Sequence, residues 1–262
     1  MTIQGPILGG TASYASLTAK ALGLRVGIVT SIAPDVSLAR LDGIQIHSVA
    51  SEFSSTFENI YTPQGRIQYI YHVASNLDFS MIPDGWRDTP IIHLGPVAQE
   101  VEPNLVRRFP NSFVGLTPQG WLRTWDKQNK IHPCEWPEAS FVLGNASAAV
   151  LSMEDVQGDE SRIEEMASSI RILVVTEGAS GCRLFWNGDL RRFRPPMKTE
   201  VDPIGAGDIF ATAFFARLHT TRDPWEAARF ATYLAANSVT RHGLEGVPTA
   251  QEVEQYSIEV IN

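Results

Sequence analysis

Strand-like and helix-like segments alternate along most of this 262-residue chain with short connections between them, which predicts an α/β fold with a mostly parallel sheet covered by helices on both faces. Residues 172–176 form a continuous run of apolar and β-branched residues, as expected of a strand buried on both faces. Residues 205–218 carry Ile209, Phe210, Ala213 and Phe214 and are apolar nearly all round, which predicts a buried helix.

The elements follow in order. Residues 11–22 read as a helix with Tyr14, Leu17 and Ala21 on one face, closed by Gly23, and residues 25–30 follow as a strand. Between 44 and 74 the pattern changes to three β-rich pieces, with a turn at Pro63-Gln64-Gly65. This stretch is expected to form a small inserted β lid. Alternation then resumes: strands at 90–94, 112–116 and 140–143, helices at 103–109 and 160–169, the strand at 172–176, and a hairpin over 182–193 turned at Asn187-Gly188. The last third is helical. Asp223-Pro224-Trp225-Glu226 reads as a capping box opening a helix that closes near Gly243, and Thr249-Ala250-Gln251-Glu252 repeats the signature for a final helix. The whole is expected to form one domain.

Composition narrows the function classes. Hydrophobic residues make up 44% and charged residues 19%, which suits a packed core rather than disorder. The net charge of −8 makes nucleic acid and anionic membrane poor partners, so an anionic ligand must be captured by local dipoles. Cys134 and Cys182 lie far apart, without CxxC spacing, which suits a reducing compartment. No basic residue precedes Lys20, so no signal peptide is expected, and the most apolar stretch, 209–216, is too short to span a bilayer. A cytoplasmic location is the expectation.

The sharpest chemical feature is Asp202-Pro203-Ile204-Gly205-Ala206-Gly207-Asp208, just before the buried helix. Glycines there let the chain turn tightly and let a ligand approach the main chain. The N–H groups of Gly205, Ala206 and Gly207 would point out of a helix N-terminus, where the macrodipole favours a phosphoryl group. Asp208, in the first turn, could accept a proton from a hydroxyl attacking that group. There is no GxxxxGK[ST] phosphate loop and no HExxH metal spacing.

These residues resemble the PfkB, or ribokinase-like, family of small-molecule kinases. The family's DTxGAGD motif matches DPIGAGD, with Pro203 for Thr, and four other segments match in order. Gly9-Gly10 with Ala21-Leu22-Gly23 resembles the early GG…LG segment, and Gly65-Arg66 with Ala74 falls in the lid. Val175 to Gly181 resembles the VTxGxxG loop, and Ala235 to Gly243 the helix bordering the adenine.

The resemblance implies a three-layer α/β/α fold and phosphoryl transfer from ATP, with Mg²⁺, to a hydroxyl of a sugar, inositol or nucleoside. It makes Asp208 the base and Gly205, Ala206 and Gly207 the anion hole. Thr176, Gly178, Gly181, Asn145 and Asn237 fall on the nucleotide side, and Gly9, Gly10, Tyr14, Arg66 and Gln68 on the acceptor side. Asp202, Ile204, Ser238 and Gly243 match a monovalent-cation (K⁺) loop. A homodimer through lid edges is a further expectation.

The chain departs from the family pattern in three places. Asn145-Ala146-Ser147-Ala148 lacks the Glu of the NxxE motif, leaving Glu154, Asp155 or Glu177 to replace it. No acidic residue precedes Gly9, so either the acceptor is bound differently or, as the favoured expectation, a first core strand carrying an Asp lies upstream. Tyr14 stands where many sugar kinases have Asn, so an aromatic wall is expected there in place of an amide hydrogen bond. The lost Glu and the absent Asp motivate an alternative reading, a nucleotide- or metabolite-binding member with little kinase activity.

Overall fold

The structure, a computed structural model, describes residues 7–62 and 65–259. The strand expected ahead of Gly9, and most of the turn at 63–65, fall on residues outside this range.

In chain order the elements are α1 (Gly10–Ala21), β1 (Gly27–Ile32), β2 (Gln45–Ala50), β3 (Thr56–Thr62), β4 (Gly65–His72), β5 (Ile91–Leu94), β6 (Phe113–Leu116), β7 (Arg123–Trp125), β8 (Ile131–Pro133), α2 (Ala139–Gly144), β9 (Ala148–Ser152), α3 (Glu160–Ser169), β10 (Ile172–Thr176), β11 (Cys182–Trp186), β12 (Asp189–Phe193), α4 (Ala206–Thr221), α5 (Pro224–Ser238) and α6 (Ala250–Glu259). A six-stranded sheet in the order β12-β11-β10-β9-β6-β5 forms the centre. Its four strands β10, β9, β6 and β5 run parallel, and β11–β12 is an antiparallel hairpin turned at Asn187 and Gly188, both at positive φ.

Alternation along the central strands explains the layers. Ala149, Leu151, Leu173 and Val175 point into one core with Ile163 and Met166 of α3. Ala148, Val150, Ile172 and Val174 point into the other with Phe210, Phe214 and Leu234 of α4 and α5. Successive strand side chains face opposite ways, so a strand buried on both faces is apolar throughout. The packing is tight where α4 crosses β6: a Cβ on Gly115 would lie 2.6 Å from the Phe215 ring. At the free edge, β12 shows solvent Asp189, Arg191 and Arg192, charges that discourage further strand pairing.

Several expectations are corrected. Residues 140–143 are helical, within α2, because Val142 N–H bonds back to Glu138 C=O at 2.9 Å. The strand of that region is β9. A short apolar run satisfies either period, and the packing decides. The lid is smaller than 44–74: β2 pairs in parallel with β1, and only β3 and β4 form the antiparallel ribbon. The lid also gains a neighbour that no sequence pattern announced. The β7–β8 hairpin joins it through a Tyr69–Lys130 bridge and an Ile70 N–H to Asn129 C=O bond of 2.9 Å.

The expected helix at 103–109 is a 3₁₀ segment, Pro103–Arg107. Helix α5 ends at Ser238, not near Gly243, because the carbonyl of Val239 accepts from the N–H groups of Val201 and Asp202 at 2.7 and 3.0 Å. The exit of α5 is thereby drawn into bracing the loop that leads to α4. Asp223 caps α5, but Glu226 turns to Arg217 instead of closing a box, whereas Thr249 and Glu252 make the full reciprocal box.

Gly115→Ala is expected to destabilise the protein by about 1–3 kcal/mol, since the methyl overpacks the β6–α4 contact. Urea unfolding would read this as a lower midpoint at unchanged slope.

Candidate active site

The C-terminal ends of parallel strands share one edge of a sheet, and there the chain collects its polar groups. Gly95 follows β5, Thr117 follows β6, Asp155 follows β9 and Thr176 ends β10. The N-termini of α1 and α4 arrive at the same edge. A Cβ on Gly95 would come within 2.5 Å of Thr11 and 3.0 Å of Thr117, so α1 begins directly over the end of β5.

Neither helix N-terminus is capped by a side chain, and each starts from a glycine, Gly9 and Gly205. Gly205 sits at φ +82°, and a Cβ there would overlap the Tyr14 ring. Tyr14 is 2% exposed. It therefore lies beneath the glycine loop and supports it, instead of forming an aromatic wall for an acceptor. Of the three amides expected in the anion hole, Ala206 N–H turns inward to Pro203 C=O at 3.2 Å. The N–H groups of Gly205 and Gly207 have no acceptor among the described residues. Gly9 and Gly10 are exposed at the start of α1.

Asp208 is half-buried in the first turn of α4. Burial pushes its carboxyl up to about 6, while a hydrogen bond from Thr11 and the positive charge of Arg123 pull it down and Asp155 pushes it up. A base tuned near neutrality is what proton transfer from an alcohol requires.

Of Glu154, Asp155 and Glu177, the three acids expected to replace the missing Glu, Asp155 stands at the C-terminal end of β9. Ser152 ends β9 and Asp155 stands three residues on, which is the spacing of the NxxE motif. The Asp155 carboxylate accepts from Ser152 N–H at 2.8 Å and from Gln119 Nε2 at 2.9 Å. Each of its oxygens keeps lone-pair capacity for a further partner. Glu154 pairs with Arg66 at 3.0 Å. Glu177 is taken up by Arg183 and Arg192 at 2.7 and 3.4 Å. Asn145 precedes β9, so it lies at the opposite edge of the sheet, where its side chain donates to Phe141 C=O at 2.7 Å. A strand-end acid was readable in Ser-Met-Glu-Asp only once β9 was known to be the strand.

On the expected nucleotide side, Thr176 Oγ1 leans on Leu151 C=O, and Gly178 and Gly181 have positive φ in the β10–β11 turn. A side chain on Gly181 would overlap the Phe193 carbonyl, so that glycine serves the approach of β12. Asn237 is buried near the end of α5. Asp202 accepts from the N–H groups of Ile204 and Gly243 at 3.0 and 2.9 Å, which brings three of the four cation-loop residues together, while Ser238 is buried and donates to Ala235 C=O.

From the lid, Gln68 reaches inward. Its amide nitrogen donates to Asn59 Oδ1 at 2.6 Å, and its oxygen accepts from Arg123 Nη2 at 3.0 Å. Gln119 and Arg123 are the site residues that sequence reasoning missed. Both sit in the segment after β6, which carries no glycine pattern or motif to single them out.

Two uncapped helix ends, with a carboxyl poised near neutrality beside them and a lid above, can hold an anion and take a proton from a neighbouring group. The family signature described as pfkB family carbohydrate kinase matches residues 121–250. The chain is 39% identical to an inositol 3-kinase from Oryza sativa over 94% of its own length and 65% of the relative's. It is 26% identical to a cytidine kinase from Thermococcus kodakarensis over 90% of this chain and 88% of that one. It shares its fold with a pyrophosphate-dependent kinase of the ribokinase family, solved with a pyrophosphate analogue and myo-inositol: TM-score 0.78, 19% identity, 94% of this chain and 90% of that one. Residues 121–250 thus carry the signature of the pfkB family of carbohydrate kinases, on a chain whose fold is that of the ribokinase-family structures.

The raised carboxyl of Asp208 sets a stability test. A carboxyl whose folded-state value exceeds its ordinary 3.8 stabilises the fold when protonated, and that contribution is lost as pH rises through about 6. Asp208→Asn should therefore melt a few degrees above the wild type at pH 7–8, with the difference closing below pH 4. Calorimetry across that range reads it.

Proposed function

We propose that this kinase phosphorylates a ring hydroxyl of an inositol or a closely related cyclic polyol, with ATP as donor. The observation that carries the reading is Asp208, half-buried with a carboxyl near 6, between the glycine-led N-termini of α1 and α4. The acceptor class is supported by the 39% identity to an inositol 3-kinase.

The acceptor would lie between Gly9-Gly10, the lid residues Gln68 and Asn59, and Asp208. Asp208 takes the hydroxyl proton as the oxygen attacks, and the amides of Gly205 and Gly207 stabilise charge on the transferring group. The lid keeps water away from the donor. Among the described residues no cluster of three His, Cys, Asp or Glu side chains could cage a metal. Mg²⁺ prefers to keep its waters and ride on phosphates, and the free lone pairs of Asp155 suit a hold on one such water. When bound it would neutralise donor charge. The Asp202 loop is proposed as the place where K⁺ would act on α4 from behind.

A second donor reading is inorganic pyrophosphate. Two guanidinium groups, Arg66 and Arg123, lie within electrostatic reach of each other and of Asp208's surroundings, an arrangement that suits a compact, highly charged donor.

A product-release screen decides among these: myo-inositol, other polyols, sugars and nucleosides, each with ATP or pyrophosphate, in K⁺ or Na⁺. Turnover of an inositol above all other acceptors is expected; none on any acceptor would leave the ligand-binding alternative standing. Asp208→Asn should lower kcat by about 10²–10⁴ with donor affinity nearly unchanged. The wild-type rate should rise with pH to a plateau above about 6, because the ionised form of Asp208 is the base.

A further inference from the structure

The Asp208 carboxyl meets a hydroxyl from the other helix. Thr11, in the first turn of α1, hydrogen-bonds to it, and this bond crosses from the N-terminus of α1 to that of α4. A helical threonine or serine commonly turns its hydroxyl back to a carbonyl of the preceding turn. Ser13 does so in the same turn, donating to Gly9 C=O at 2.8 Å. Thr11 sends its hydroxyl across to α4 instead.

That direction is enforced from below. A Cβ on Gly95 would lie 2.5 Å from the Thr11 γ-methyl and 3.0 Å from Thr117 Oγ1. The φ of Gly95 is not positive, so its close neighbours, and not its backbone, call for glycine there. Thr117 is held in turn by His93 Nε2 at 2.9 Å, and the His93 ring stands against the Phe215 ring with centroids 5.2 Å apart. The Thr11 methyl therefore rests on a floor made by the ends of β5 and β6. Branching at Cβ leaves threonine few χ1 rotamers, so a methyl fixed on that floor fixes the hydroxyl as well. On the other side, the start of α4 is pinned where Gly205 meets the Tyr14 ring.

We propose that Thr11 is the positioning residue of the base: its hydroxyl binds one carboxylate oxygen of Asp208 and leaves the other aimed at the acceptor hydroxyl. An aspartate carboxylate turns broadly about χ2. One directed bond removes that freedom before the acceptor arrives, which matters most where a proton must pass between two aligned oxygens. The same bond favours the ionised carboxylate. Arg123 also favours it and Asp155 opposes it; these are the charged groups that face Asp208. Burial holds His93 down to about 4, so its charge does not change where Asp208 titrates. Thr11 directly follows Gly9-Gly10, so the turn of α1 that would meet the acceptor also sets the base. The inference rests on the kinase reading of the site, but its first test needs no turnover.

That test follows the Asp208 carboxyl by carbon NMR of the full chain labelled at aspartate Cγ, with Asp208→Asn identifying the signal. The wild type should titrate near 6. Thr11→Val keeps the branched shape and removes the donor, so its midpoint should lie about one pH unit higher. Thr11→Ser keeps the donor and should titrate with the wild type. Thr11→Ala replaces Thr11→Val if that variant does not fold. Where turnover is found, kcat in Thr11→Val should stay about 10–100-fold low even above about pH 9, with the acceptor KM within about threefold. Thr11→Ser should recover most of that loss.

An unmoved midpoint in Thr11→Val overturns the proposal. An equal rise in Thr11→Ser also overturns it, because the effect would then come from packing and not from the donor. So does a kcat in Thr11→Val that returns to the wild-type value at high pH, since the bond would then tune the proton without aiming the carboxylate. A midpoint that rises in the Val variant and not in the Ser variant, in a protein that turns over no acceptor, would fault the kinase reading and support the hold of Thr11 on Asp208.

Discussion

The close approach of two helix N-termini governs this molecule. Helix α4 can begin beside α1 only because Gly205 has no side chain, lies at a positive φ and rests on the Tyr14 ring. That contact aligns two helix dipoles on one point and leaves their first amides without side-chain caps. It also sets Asp208 against Thr11, out of bulk water, so the carboxyl holds its proton more tightly than an exposed aspartate would.

A site of this kind destabilises the chain that carries it. Uncapped helix ends, a carboxylate in a desolvated place and the Arg123 guanidinium held by a neutral amide oxygen each oppose folding. The remainder of the structure offsets them. Both faces of the central strands are buried, and bidentate ion pairs clamp the periphery: Arg217 with Glu226 between α4 and α5, Arg241 with Glu252 at α6, and Arg183 with Glu160 at α3. These pairs are part-buried and doubly bonded, the geometry in which an ion pair contributes most. The sheet and these clamps stand behind the strand ends that gather the polar groups, while the lid ribbon is attached through a few bonds at β4 and β7.

The lid itself is a composite. Strands β3 and β4 form its ribbon, but the β7–β8 hairpin extends it and carries Arg123 at its root. One segment, from Thr117 to Trp125, therefore leaves the sheet edge with Gln119 holding Asp155, then enters the lid with Arg123 bonded to Gln68. This continuity gives the lid a covalent path to the groups around Asp208.

Local chemistry was enough to reveal the alternation of strand and helix, the buried character of 172–176 and of α4, the caps at Asp223 and Thr249, and the glycine-led turn before Asp208. Each depends on periodicity or on backbone constraints that a few adjacent residues impose. Tertiary structure alone decided the rest. It made 139–144 a helix and 148–152 the strand, which put Asn145 at one edge of the sheet and Asp155 at the other. It assigned β2 to β1 instead of the lid, turned Tyr14 from a wall into a support, and brought Arg123 to Asp208 across 85 residues of sequence. The reason is physical: a short apolar run satisfies two periods equally, and the edge of a sheet at which a residue emerges depends on strand direction, which no neighbouring residue encodes.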